Sequence, residues 1–542
     1  MESITIILIL LVAVVVSAVI SRVIPLPLPR PLFQIALGGL IGLVADWRVT
    51  LDPELFFLLF LPPLLFLDGW RIPREELFKD SKTVLELALG LVVFTVLGMG
   101  FFINWMIPSM PLAVAFALAA VVSPTDPIAV SAIAQRVPIP KRMMHILEGE
   151  SLLNDASGLV CLRFAIAAAL TGAFSLQQAT LSFLWLALGG VAVGLGVTWA
   201  VVRAKNWISR RYGEDGGAQV LISLLIPFAA YLVAEHLHCS GILAAVAAGV
   251  TMGFVENSGE VAAVTRMRRH SVWDMIQFTA NGIIFVLLGE QLPVILHGAA
   301  DIVRTTGHHE PWWLAIYVLA INLGLAGMRF LWVWLSFRLT LFRAGEWRQS
   351  PNWRIVAAMS FAGVRGAITL AGVLTLPLML YDGTPFPARD LAIFLAMGVI
   401  IVSLVVASIG LPLLLRGLQM PPEPSHLAEE DAARVAAAQA AIAAVERAEH
   451  EMADGREDAD IYVAVAARIM DAYRARIELR QNDGDERAVA KEQERIERDL
   501  RLVALRAERM KIYKLVRTRK LGSETARKIV RELDLLEVRF GA

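Results

Sequence analysis

Cysteine is nearly missing: 542 residues hold two thiols, Cys161 and Cys239. That excludes a disulfide framework and a cysteine-based metal site. Both fall in apolar stretches, where a small buried thiol is the expected role. A net charge of one sign is also missing, since 50 Lys/Arg balance 50 Asp/Glu. No basic surplus points to nucleic acid. The first apolar run, Ile4 to Ile20, has no basic segment before it; Glu2 is acidic, and Arg22 follows the run. A cleavable signal has the reverse order. The run is therefore expected to stay as a span with the N-terminus outside. The His-Glu-x-x-His run of a metallohydrolase is absent.

What the chain has is apolar length. It is 57% hydrophobic, and its mean hydropathy is +0.61. Stretches of spanning length lie near 3–21, 31–46, 54–69, 83–107, 111–134, 144–171, 178–202, 217–238, 240–256, 272–297, 311–337, 353–381 and 390–416. The expectation is an all-α polytopic membrane protein with about thirteen spans. The odd-numbered loops carry about 20 Lys/Arg, such as Arg71, Arg74, Lys79 and Lys82. The even-numbered ones carry three: Arg48, Arg304 and Arg389. Basic loops stay inside, so the C-terminus is expected in the cytoplasm of a cell (inner) membrane protein.

Charge then divides the chain. Of the 100 charged side chains, 48 fall in the 126 residues from Gly417 onward. Two domains are expected, a transmembrane domain over 1–416 and a cytoplasmic helical tail over 417–542. Residues 427–450 and 487–520 read as solvated amphipathic helices. Gly455 and Asn482-Asp483-Gly484 read as breaks between helices. A regulatory or dimerising role for this tail is one reading; a domain without chemistry is the other.

The informative feature is charge at membrane depth, which is costly and usually functional. Gly149-Glu150-Ser151-Leu152-Leu153-Asn154-Asp155 lies in the sixth span. Helical spacing stacks Ser151 with Asp155 and Glu150 with Asn154 on neighbouring faces. Ser151 and Asp155 offer hard oxygens to a small cation. Glu150 needs a partner, and Arg329 in the eleventh span suits it. Pro124 and Pro127 bracket Thr125-Asp126 and break the fifth span, freeing carbonyls for an ion. Gly363-Val364-Arg365-Gly366-Ala367 breaks the twelfth, seven spans later. Paired broken spans point to a transport site between inverted repeats. Arg365 either serves that site or satisfies carbonyls at the break. Asp68, after Pro62-Pro63, lines a cytoplasmic mouth or sits at the interface. Arg163 and Glu290 have no partner assignable from sequence. His145, His236 and His238 read as surface residues near span ends.

These motifs, with Leu61-Pro62-Pro63-Leu64-Leu65-Phe66, resemble the sodium–proton exchangers of the monovalent cation/proton antiporter superfamily. The resemblance covers about the first 416 residues, and Glu150 to Asp155 is its most specific part. It implies inverted repeats with two discontinuous crossing helices, a scaffold, a moving core and a homodimer. It implies that Asp155 binds cation and proton, with Ser151, Asp126 and Thr125 as further ligands. Asn154 marks the electroneutral branch of the family. Glu150 and Arg329 match a structural ion pair. Asp68 aligns with an acidic position one residue out of register.

The expected function is antiport of Na⁺ against H⁺, with Li⁺ or K⁺ as alternatives. No cofactor and no enzymatic activity are expected; the partners are monovalent cations, the lipid bilayer and a second copy. A K⁺/H⁺ antiporter is the near alternative, and a cation channel or sensor the remoter one. An intramembrane hydrolase is disfavoured, because residues five apart lie about 140° apart round a helix, too far for Glu150 and Asp155 to share a proton.

Overall fold

A computed structural model describes residues 2–24, 28–44, 53–72, 84–126, 130, 141–171, 176–256, 263–297, 303–304, 310, 312–343, 353–380, 382–416, 426–454, 458–481 and 485–541. Outside them lie Pro127, Gly455, Asn482-Asp483-Gly484 and the loop residues Arg48, Arg74, Lys79 and Lys82. The described residues are helical almost throughout; their one β feature is an isolated bridge between Met379 and Pro385. The chain divides into two compact units, Met1–Leu418 and Gln419–Ala542.

The first unit contains α1 (Glu2–Val23), α2 (Arg30–Val44) and α3 (Pro53–Arg71), then a π-helical segment (Glu86–Leu91) that runs into α4 (Val92–Met106). Next come α5 (Leu112–Val122), α6 (Lys141–Thr171), α7 (Leu176–Tyr212), α8 (Gly216–His236) and α9 (Gly241–Glu256). α10 (Ala263–His297), α11 (Trp312–Arg343), α12 (Trp353–Phe361), α13 (Ala367–Leu374) and α14 (Arg389–Leu415) complete it. Among the described residues, eight helices are long and apolar enough to cross a membrane: α1, the π segment with α4, α6, α7, α8, α10, α11 and α14. Arg30–Val44, Leu112–Val122 and Gly241–Val255 are shorter apolar helices. α12 and α13, of nine and eight residues, divide the expected twelfth span between them.

Small residues let the helices approach. A side chain on Gly38 of α2 would collide with the Val286 carbonyl of α10, and one on Gly289 with that of Ile35. Gly69 of α3 and Gly249 of α9 oppose each other's helix backbones in the same way. In lipid there is little hydrophobic drive between helices, so close backbone packing takes its place. An apolar cluster of Phe66, Trp70, Val202, Ile226, Ala230 and Trp273 fastens α3, α7, α8 and α10 together. Trp273 stacks on Phe66 at 5.2 Å and donates its indole N–H to Ser223 Oγ at 3.2 Å. Side chains such as Val15, Leu188, Trp199 and Leu323 face outward, as a bilayer requires.

Among the described residues the second unit has four helices: α15 (His426–Ala453), α16 (Ala459–Gln481), α17 (Asp485–Arg517) and α18 (Ser523–Gly541). α15 packs on α16 with Arg480 Nε 3.5 Å from Asp431, and α17 packs on α18.

Candidate ion-binding site

Two interrupted helices meet at the centre of the site. α5 ends at Val122, where Ser123-Pro124 bends the chain and Thr125-Asp126 is non-helical. Pro124 has no amide hydrogen, so the α-helical ladder is cut there. α12 ends at Phe361, and 363–366 is non-helical until α13 begins. The two stretches cross, and the Asp126 amide donates to the Val364 carbonyl at 2.7 Å. Gly366 lies so near that a Cβ there would collide with the Asp126 carboxylate. That carboxylate sits at the start of α13, where free backbone N–H groups favour an anion.

Each break leaves carbonyls at a helix C-terminus, and an arginine meets each set. Arg365 Nε donates to the Val122 carbonyl at 2.9 Å, and its Nη1 donates to that of Gly363. Its backbone amide donates to Ser403 Oγ at 3.1 Å. Arg329 Nε donates to the Met359 carbonyl at 2.9 Å, in the last turn of α12. Positive charge at these ends offsets the negative end of each helix dipole.

Arg329 also grips Glu150. Its Nη2 lies 2.7 Å from Oε2, and Nη1 pairs with Oε1. Side-chain exposures of 3% and 1% leave this bidentate pair without solvent. Thr125 Oγ1 lies 3.4 Å from Glu150 Oε1 and accepts from Asn154 Nδ2 at 3.0 Å. The Thr125 hydroxyl and the Asn154 amide thus belong to the ion-pair network. Asn154 Oδ1 is buried and has no hydrogen-bond partner among the described residues.

Asp155 stands apart from that network. It is 5% exposed, and no ion pair to its side chain occurs among the described residues. Asp126, Asp68 and Glu150 are all near enough to act on it electrostatically. Ser151, one turn earlier on α6, is buried too. Asp68 lies near the C-terminal end of α3, half-buried and within the field of Asp126, Arg71 and Glu148. The structure thus gathers Thr125, Asp126, Glu150, Ser151, Asn154, Asp155, Arg329 and Arg365 around one crossing, with Asp68 nearby. Among the described residues no group of three or more His, Cys, Asp or Glu is arranged for a metal ion. The available donors are mixed hydroxyl, carboxylate and carbonyl oxygens, which suit a weakly held hard cation.

Sequence reasoning missed several supports. Ser157 Oγ donates to the Ala88 carbonyl at 2.7 Å, tying α6 to the π segment. A π turn realigns carbonyls in a way that residue spacing does not announce. Gly158 makes room for Pro124, whose ring would meet any added Cβ. Arg163 pairs with Glu235 of α8 at 2.7 Å beside a cavity of about 510 Å³ lined by Leu159, Leu162, Ile166, Tyr231 and Ile242. Glu290 Oε2 accepts from Gln291 Nε2 at 2.6 Å.

Residues 7–417 match the model of the transmembrane sodium/hydrogen exchanger family. An uncharacterised Na⁺/H⁺ exchanger of Escherichia coli, YjcE, is 43% identical over 514 residues, covering 93% of each chain. A sodium, potassium, lithium and rubidium/H⁺ antiporter of Bacillus pumilus is 38% identical, over 94% of this chain and 74% of its own. The sodium proton antiporter MjNhaP1 of Methanocaldococcus jannaschii shares the fold, with a TM-score of 0.59 at 20% identity, covering 77% of this chain and 99% of that one. With the crossed breaks and the buried charges of α6, these likenesses make the chain a multi-pass membrane protein that belongs to the sodium/hydrogen exchanger family.

Proposed function

We propose that the chain is a secondary active antiporter that exchanges Na⁺ for H⁺ across the cell membrane, one for one. Residues 1–416 form the antiport domain and 417–542 a cytoplasmic tail, with the N-terminus outside. The observation that carries the reading is Asp155: a buried carboxylate in no ion pair among the described residues, five residues beyond the paired Glu150 and near two crossed helix breaks.

Deprotonated Asp155 binds the cation, and protonated Asp155 does not. Ser151, Asp126 and the Thr125 carbonyl complete the shell. Glu150 is committed to Arg329 through both carboxylate oxygens and is not the exchanging group. Asn154 adds no exchangeable proton, which supports an electroneutral exchange. The site crosses loaded with one cation or one proton. Empty, it would carry a bare carboxylate into a poorly solvated interior, at a cost that blocks the return step. That cost couples the two fluxes while the core carrying α6 moves against the scaffold of a homodimer.

The name of the Bacillus pumilus relative favours a second reading, in which K⁺, Li⁺ and Rb⁺ also serve as substrates. Proton release from everted vesicles on adding each cation in turn tests both readings. Na⁺-driven release from the wild type and none from correctly inserted Asp155→Asn is the expected result. Equal flux through Asp155→Asn overturns the mechanism.

A further inference from the structure

α17 is a 33-residue helix with two apolar faces. One is used inside the unit. Leu505 is buried, and Arg509 Nη2 lies 3.0 Å from Asp534 of α18 and also pairs with Glu537. On α18, Ala526 and Leu533 are buried in turn. The other face holds Val489, Ile496, Leu500, Val503 and Met510, each between 48% and 64% exposed. Leu505 lies about 140° round the helix from Leu500, so α18 cannot cover both. The exposed residues are separated by seven, four, three and seven positions. With Gln493 and Ala507 they fill successive a and d positions of heptads, the pattern of a helix seam made for another helix.

Charge selects the direction of that partner helix. The flanks of the seam are acidic early, at Glu492, Glu497 and Asp499, and basic late, at Arg506 and Lys511. A parallel, in-register partner would set Glu492 against Glu497 and Arg506 against Lys511. An antiparallel copy instead sets Leu500 against Val503, Ile496 against Ala507 and Val489 against Lys514, with Asp499 of one copy beside Arg506 of the other. We propose that α17 pairs antiparallel with α17 of a second copy of this chain, through the seam from Val489 to Lys514. This interface is additional to any contact between the membrane domains.

Cysteine cross-linking of the full-length protein in membranes tests the pairing, in a Cys161→Ala/Cys239→Ala background that retains transport. Val489 and Lys514 of one helix are about 37 Å apart, beyond disulfide reach within a chain. Val489→Cys/Lys514→Cys should oxidise to a species of about twice 59.3 kDa on a non-reducing gel. Either cysteine alone should give less than about a tenth of that yield, because antiparallel pairing holds like ends apart. Adding Leu500→Glu should cut the double-cysteine yield about tenfold. A strong dimer from Val489→Cys alone would mean parallel pairing and overturn the proposal. So would a double variant that yields no dimer.

Discussion

Burial without solvent makes Glu150 and Arg329 depend on each other. Glu150→Ala strands the guanidinium and should lower stability by about 3–5 kcal/mol. Glu150→Ala/Arg329→Ala should be milder than the sum of the single losses, measured as thermal unfolding in detergent in a double-mutant cycle. Simple additivity would mean that the pair contributes no coupling. Gly366 offers a second test. Its Cα abuts the Asp126 carboxylate, and an added Cβ would displace that group. Gly366→Ala should therefore remove most Na⁺-driven proton flux while the protein still inserts. Near-normal flux would detach Asp126 from the proposed cation shell. The pairing of Glu150 with Arg329 was legible in the sequence, because a buried charge demands an opposite one. The capture of the Thr125 hydroxyl by that pair was not, because it depends on which way a non-helical turn points.

Helix by helix, the breaks were legible and their supports were not. Pro124, and the glycines around Arg365, announce interruptions, since proline removes a donor and glycine tolerates irregular backbone. Nothing in the spacing announces the backbone bond between Asp126 and Val364, or Arg365 reaching back to Val122. Those contacts join segments about 240 residues apart. The pair of Arg163 on α6 with Glu235 on α8 bears on the proposed motion. If α6 moves against α8 in each cycle, joining Arg163→Cys to Glu235→Cys with a bifunctional methanethiosulfonate should stop exchange, and reduction should restore it. The assay is transport before and after dithiothreitol, in the Cys161→Ala/Cys239→Ala background. Unchanged transport in the cross-linked form would mean that the two helices move together. Close approach of α2 and α10 gives a stability test. Gly289→Leu forces a side chain into the Ile35 carbonyl and should lower stability by about 1–3 kcal/mol or more.

For the whole molecule, the proposal fixes a charge balance. One Na⁺ against one H⁺ moves no net charge. In proteoliposomes clamped with potassium and valinomycin, at zero Na⁺ and pH gradients, an imposed potential should drive no Na⁺ uptake. Uptake driven by potential alone would mean unequal stoichiometry. Asn154→Asp should leave this result unchanged, because Arg329 is already committed to Glu150.

The sequence by itself determined the class of this protein. Its hydropathy, the alternation of basic loops and the charge-rich segment after Gly417 need no tertiary information, because each reflects how a residue partitions between water and lipid. It also determined which carboxylates pay the cost of burial, since cost follows from residue type and depth. The tertiary structure alone decided what surrounds the two carboxylates. Thr125 and Asn154 join the Glu150–Arg329 pair, and Arg365 reaches back to Val122 where the two breaks cross. Such contacts depend on sub-ångström packing between distant segments, which no local pattern encodes. The same holds in the tail, where α17 carries two apolar faces and only the seat of α18 shows which one is covered.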